Sequence, residues 1–414
     1  MCGPARPPNV TIGPVTSPPT PTRSGPRIGR GLGVVLVQAL NSATTVAQMA
    51  MFAVVLPRGD FDDYAVWITS NMFLVGLGQA IGTDRVIIGR RTEADGVRSA
   101  QVIALAVMLA QLGVAVALDN PALMVCSVAV FCYTTYDFQR FVRCFDEASR
   151  FLRYDLAVLA AQVVVTVGVW ALVGDSAWLV LGWWVVGAPA WLVLSGRESG
   201  GVRAGLQVLR ADLRECLPLL GDAALAGVPL VVALALVRAQ GAEGDASAAR
   251  MAFTILGPIT VLGISARRMV YQRTASGPLS AGFALKWAVV VVVTFFGCAA
   301  LLSLTRTPLY PWAFPGFLGL TWWAILGFST NHAAMFSTLL PAASLRAEQR
   351  SLQVGIARVL ATVSAAGVGV FLLPFDAASD VAWCVAAGSI AYAGSLYVAR
   401  SLTPRVAVES TPGP

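Results

Sequence analysis

The chemistry open to this chain lies in a few polar side chains set inside long apolar runs. Gln38, Asn41, Thr45 and Gln48 recur at spacings of three, four and three residues, so they form one stripe on a helix otherwise made of Val, Leu, Ala, Met and Phe. Such a stripe can line a hydrated cavity and hydrogen-bond sugar hydroxyls, and it can equally join neighbouring helices. Asn71 and Gln79 add two amides to this set in the next run. Asp222 stands roughly one turn inside a later run after Pro218, where a carboxylate can sense a proton or cation, snorkel, or cap the turn. Arg358 lies about two turns inside another run, where an unpaired cation is costly. Facing a cavity it would attract an anionic head group such as a pyrophosphate; otherwise it reaches back to the interface. Asp84 with Arg85, and Arg267 with Arg268, sit at the ends of runs and are candidates for head-group or gate contacts, with interfacial anchoring as the simpler role.

No catalytic constellation accompanies them. His332 is the single histidine, and its place near the end of a run suits a packed or interfacial residue better than a proton relay. The seven cysteines include no Cys-x-x-Cys and no plausible outward pair, so neither a zinc site nor a disulfide framework is expected. We therefore expect no enzyme, no metal and no cofactor.

The elements that position these residues are membrane spans. Of all residues 57% are hydrophobic and only 12% charged, with a mean hydropathy of +0.71, which excludes an ordinary soluble domain. A helical span needs about 20 mostly apolar residues. Runs of that kind cover 32–56, 64–84, 100–118, 121–139, 156–174, 177–195, 217–237, 251–270, 286–304, 312–331, 352–373 and 381–399. The expected fold is therefore an all-α polytopic membrane protein of about twelve transmembrane helices. The stretch 312–343 is too long for one span and too short for two, which leaves its tail from His332 to Ala343 for the interface.

Charge orients these spans. With the N-terminus in the cytoplasm, 24 of the 29 basic residues fall in cytoplasmic segments, leaving Arg58, Arg238, Arg250 and Arg306 outside and Arg358 within a span. That bias predicts cytoplasmic termini at both ends. The net charge of +7 is then a topology signal, because basic residues scattered over seven segments make a poor nucleic-acid surface. Residues 1–31, rich in proline, read as a disordered cytoplasmic tail rather than a signal peptide. Residues 196–216 read as a cytoplasmic linker between two six-helix lobes, 32–195 and 217–399, with a cytoplasmic tail at 400–414. This division suits the duplicated architecture of secondary transporters, whose substrate lies between repeats. The fourth span is expected to continue into the cytoplasm as an amphipathic helix. Arg140, Arg143, Glu147 and Arg150 would form its solvated or head-group-binding face, with Phe141, Phe145 and Leu152 towards another face.

Several stretches resemble polysaccharide exporters of the multidrug, oligosaccharidyl-lipid and polysaccharide flippase superfamily. Leu56-Pro-Arg-Gly-Asp-Phe-Asp-Asp-Tyr-Ala65 is similar to the first outward connection of that family, with Phe61-Asp62-Asp63-Tyr64 where the family has Phe-Gly-x-Tyr. The polar first span with Gln38 and Asn41 is similar too, as are Tyr136-Asp137-x-x-Arg140 through Asp155, and Ala249-Arg250 through Leu256-Gly257-Pro258 to Arg268. The likeness covers most of residues 32–275 and fades afterwards. It implies two lobes that rock to expose a central cavity alternately to each side. It also implies a cargo of isoprenoid-pyrophosphate-linked oligosaccharide or a related glycan intermediate. Family members carry cations in that cavity, a part that falls here to Arg358, then to Arg267, Arg268 and Arg85.

Other readings stay open. An accessory member of the family without transport activity fits the shortage of deep cations. Asp84-Arg85-Val-Ile-Ile-Gly89-Arg90-Arg91 resembles the signature of major facilitator transporters of small solutes, with two extra residues. Asp60-Phe-Asp62-Asp63 resembles the acidic pair of membrane glycosyltransferases that use lipid-linked sugar donors, though in a much shorter loop. Arginine outnumbers lysine 28 to 1, as in a GC-rich bacterial genome, which points to a bacterial cytoplasmic membrane. The expected partners are the lipid bilayer, a lipid-linked glycan and glycan-assembly enzymes.

Overall fold

The computed structural model describes residues 27–78, 80, 92–195, 201–211, 213–275, 280–308, 310–311, 319–348 and 350–402. Among them the ordered elements are helical. They are α1 (Arg27–Val55), α2 (Arg58–Gly78), α3 (Glu93–Ala117), α4 (Pro121–Val173), α5 (Ala177–Ser195), α6 (Gly201–Ala211) and α7 (Leu213–Gln240). Then follow α8 (Asp245–Ile255), α9 (Gly257–Ala275), α10 (Ala281–Ser303), α11 (Trp322–Ala347), α12 (Ser351–Leu372) and α13 (Ala378–Ser401). Seven segments among the described residues are long and apolar enough to cross a membrane. This is a multi-pass membrane protein built from helices, as lipid requires of any chain whose backbone must satisfy its own hydrogen bonds.

Local sequence explains the helix starts. Thr92, Asn120, Ser280 and Thr321 each accept a hydrogen bond from the backbone N–H three residues on, satisfying one of the orphan donors of α3, α4, α10 and α11. Pro121 adds a preset φ at the first turn of α4, and Gly174, at φ 74°, closes that helix in a left-handed cap.

Three boundaries depart from the hydropathy reading, and a fourth region keeps its two runs apart within one kinked element. Helix α2 begins at Arg58, so Asp60, Asp62 and Asp63 occupy its first turn and a half rather than a loop. The runs 121–139 and 156–174 fall in two separate apolar segments of α4, Pro121–Arg140 and Glu147–Val173, divided by a kink where Glu147 leaves helical geometry at φ −120°, ψ 30°. The run 251–270 is split between α8 and α9 at Leu256. Helix α11 starts at Trp322, not at residue 312, and its buried second half carries the segment His332–Ala343 that hydropathy left at the interface.

Packing gathers the helices into two groups. Phe52, Trp67, Val107, Val130 and Trp184 anchor a core shared by α1 to α5. Leu234, Cys298, Phe328, Ala365 and Val381 anchor another, shared by α7, α10, α11, α12 and α13. Two helices serve both: Val66 of α2 packs in the second core, and Met251 of α8 in the first. A third close approach joins α2 to α7, where a Cβ on Gly227 would stand 2.0 Å from the Phe73 ring, so only glycine lets these helices meet. Large apolar side chains remain exposed on the outer faces of α4 and α12, Leu172, Val164, Val370 and Phe371 among them, as expected where the solvent is lipid.

Candidate functional site

Three polar clusters lie within this framework. In the first group of helices, Tyr136 donates to Asp155 at 2.6 Å. Arg140 pairs with Asp137, one turn away, and with Asp155 at 3.4 Å. At 4% exposure Arg140 is buried inside α4, so it does not belong to the solvated face that the sequence suggested. Only Arg150 and Glu147, paired at 2.6 Å, form such an exposed face. The reason is Asp155: it lies beyond the bend at Glu147 and folds back onto Arg140, a contact that helical periodicity cannot show.

In the second group, two of the sequence-derived candidates meet. Asp222 of α7 accepts from Arg358 of α12 at 2.8 Å and from Arg346 of α11 at 2.5 Å. The Arg358 guanidinium lies 3.5 Å above the ring of Tyr392 on α13, whose hydroxyl is 3.5 Å from Asp222. Arg358 therefore does not stand alone. Its charge is met by a carboxylate and an aromatic face, the arrangement that makes a cation tolerable inside a membrane.

The third cluster spans the two groups on the side that the charge bias assigns to the outside. The Asp62 carboxylate of α2 accepts the N–H of Gly244 and of Ser247, both at 2.7 Å, and so caps α8 from another helix. Beside it Arg238 of α7 donates to Asp63 at 2.6 Å. Asp245 accepts from Ala378 at the start of α13 at 3.4 Å, and burial raises its carboxyl above the usual carboxylate range. Together these bonds hold α2 against α7 and α8.

Beneath that seam lies Arg250, the residue sequence reasoning missed. The charge pattern places it in an outward connection, yet it sits in α8 at 7% exposure, beside Tyr64 of α2. Its Nε has no hydrogen-bond partner, and no described carboxylate pairs with it. Tyr64 also receives the indole N–H of Trp184 at 3.4 Å and lies next to Gln48 of α1. The available signal was spacing: Asp245, Ala249 and Ala252 put Arg250 on the small-residue stretch of a helix starting six residues earlier than hydropathy placed it.

The remaining candidates divide. Gln38 and Gln48 are buried on α1, and Thr45 donates back to the carbonyl of Asn41 at 3.1 Å. Among the described residues no side chain of Gln38 or Asn41 forms a hydrogen bond to another helix, whereas the Gln48 amide faces the Tyr64 hydroxyl across α1 and α2. Asn71 is fully buried with both amide atoms unpaired. Gln79, Asp84 and Arg85, with the stretch 84–91, lie outside the described residues, as do the side chains of Arg267 and Arg268 on α9. His332 is packed, with Nδ1 3.0 Å from the Phe328 carbonyl.

No family model matches this sequence, and no curated protein matches it. Solved structures do. The lipid II flippase MurJ, in an inward closed conformation, is similar with a TM-score of 0.64 at 11% identity, over 91% of this chain and 88% of that one. An inward-facing multidrug resistance MATE family transporter of the MOP superfamily is similar with a TM-score of 0.58 at 13% identity, over 91% and 97%. A MOP superfamily transporter from Pyrococcus furiosus gives 0.58 at 10% identity, over 91% and 95%. At these identities the likeness shows the fold: this chain is folded as MOP superfamily transporters are.

Proposed function

We propose that the protein moves a lipid-linked glycan with an anionic head group across the bacterial cytoplasmic membrane. It works by alternating access between lobes 32–195 and 217–399, with twelve spans and both termini cytoplasmic. The observation that carries this reading is Arg250, a buried guanidinium without a carboxylate partner, set between helices of both lobes. An unpaired buried cation costs several kcal/mol, and a phosphate or pyrophosphate arriving from the cavity would supply the missing charge. Gln48, beside Tyr64, and the further amides of Gln38, Asn41 and Asn71 offer donors and acceptors for sugar hydroxyls. Arg358 is less suited to that part, since Asp222 and Tyr392 already hold it.

The glycosyltransferase reading loses support because its acidic pair is engaged: Asp62 caps α8 and Asp63 pairs with Arg238. The cargo of MurJ, lipid II, belongs to the same chemical class as the one proposed here, and that likeness of fold adds weight. Glycan-assembly enzymes are the expected partners, and the carrier needs no cofactor.

Reconstitution into liposomes separates the readings. The protein should move a fluorescent lipid-linked glycan between leaflets. Proton-coupled uptake of a soluble solute with no lipid movement would overturn the proposal in favour of a facilitator, and formation of a new glycosidic bond would overturn it in favour of an enzyme.

A further inference from the structure

The segment 196–216, read from sequence as a linker, contains a helix with three distinct faces. Gly205 of α6 lies flush on the first turns of α3, where a Cβ would stand 2.1 Å from the Arg98 carbonyl oxygen, and Leu209 packs towards the first core. Next to that buried face, Val202 and Leu206 are exposed at 37% and 41%. Beyond them around the helix come Arg203 and Arg210, both exposed and neither ion-paired with a described residue. The helix has no acidic residue. It ends at Ala211, two residues before α7 begins, so it is held at the end of a membrane-embedded bundle.

We infer that α6 is an in-plane lipid-binding helix that seats on the anionic phospholipids of the cytoplasmic leaflet. One face rests on α3, Val202 and Leu206 enter the acyl boundary, and the two guanidiniums meet phosphate oxygens of the head groups. This order of protein, apolar and basic faces is what an interfacial helix needs, and charge complementarity selects an anionic surface over a zwitterionic one. The inference requires that the bundle lies in a membrane with α6 on the cytoplasmic side, as the charge bias predicts. It is independent of the cargo.

Hydrogen exchange on the full chain in lipid nanodiscs tests it. Amides of residues 201–211 should exchange about tenfold more slowly when the discs contain about one-third phosphatidylglycerol than in pure phosphatidylcholine, and high salt should erase the difference. The double variant Arg203→Gln/Arg210→Gln should lose the phosphatidylglycerol effect, and Arg203→Lys/Arg210→Lys should keep it. Val202→Ser/Leu206→Ser should speed exchange in both lipids. Equal exchange of the wild-type helix in the two lipids would overturn the inference. So would an effect that survives the Gln variants, or equal protection by soluble glycerophosphate in detergent.

Discussion

Arg250 makes two demands that pull in opposite directions, and this gives the sharpest test at the scale of single residues. As a buried cation without a carboxylate it weakens the fold, so Arg250→Met, similar in length and apolar, should raise the thermal midpoint of the purified protein by about 2–4 °C. As the charge that meets an anionic cargo it should be needed for transport, and the same variant should lower translocation in liposomes by at least about tenfold. A purely structural arginine would not raise stability and lower activity together when removed. The sequence made some of this legible. Asp222 and Arg358 stood out because charged residues inside apolar runs are rare, and the structure brings those two side chains into contact. Their partnership was not legible: they stand 136 positions apart, and Arg346 and Tyr392 joined them from two further helices. Arg250 escaped notice because a hydropathy window starts a span where polar residues stop, while the helix itself starts at a cap.

At the scale of elements, Asp222 is the tie by which α7 holds α11 and α12. Asp222→Asn keeps the shape but leaves two guanidiniums without their carboxylate, which should cost about 3 kcal/mol, whereas Asp222→Leu/Arg358→Leu removes both members of one pair and should cost less. Thermal denaturation in the same detergent should rank the single variant below the double one. The reverse order would mean that Arg358 and Asp222 are not energetically coupled. Helix positions were largely readable from apolar length alone, but their ends were not. The start of α11 shows why. Residues 312–321 are apolar enough to extend a span, yet Pro315, Gly316 and Gly319 interrupt them, and the Thr321 side chain caps the helix that follows. Capping chemistry and breakers outrank hydropathy at that boundary. Helix α6 escaped for another reason: eleven residues with two arginines read as a linker when charge is counted and as a three-faced helix only when burial is known.

For the molecule as a whole, the decisive question is whether the seam between α2 and α7–α8 opens. Asp62 accepts from two backbone N–H groups and Asp63 pairs with Arg238, so separating the groups on this side breaks three charge-assisted contacts, each worth about 1.5–3 kcal/mol. A barrier of that size is compatible with a carrier whose cargo binding offsets it, and it fits a resting state closed on the expected outward side. Replacing the ion pair by Asp63→Cys/Arg238→Cys and joining the two thiols with a short cross-linker should fix α2 to α7. If transport proceeds by rocking of the two groups, the linked protein should translocate lipid-linked glycan at least about tenfold more slowly, while the same variant without linker, and each single cysteine variant treated with it, should not show that block. A linked protein that transports at the unlinked rate would show that this seam stays shut throughout the cycle. Cargo would then have to pass by another route, and Arg250, buried directly behind the seam, would be a structural cation after all.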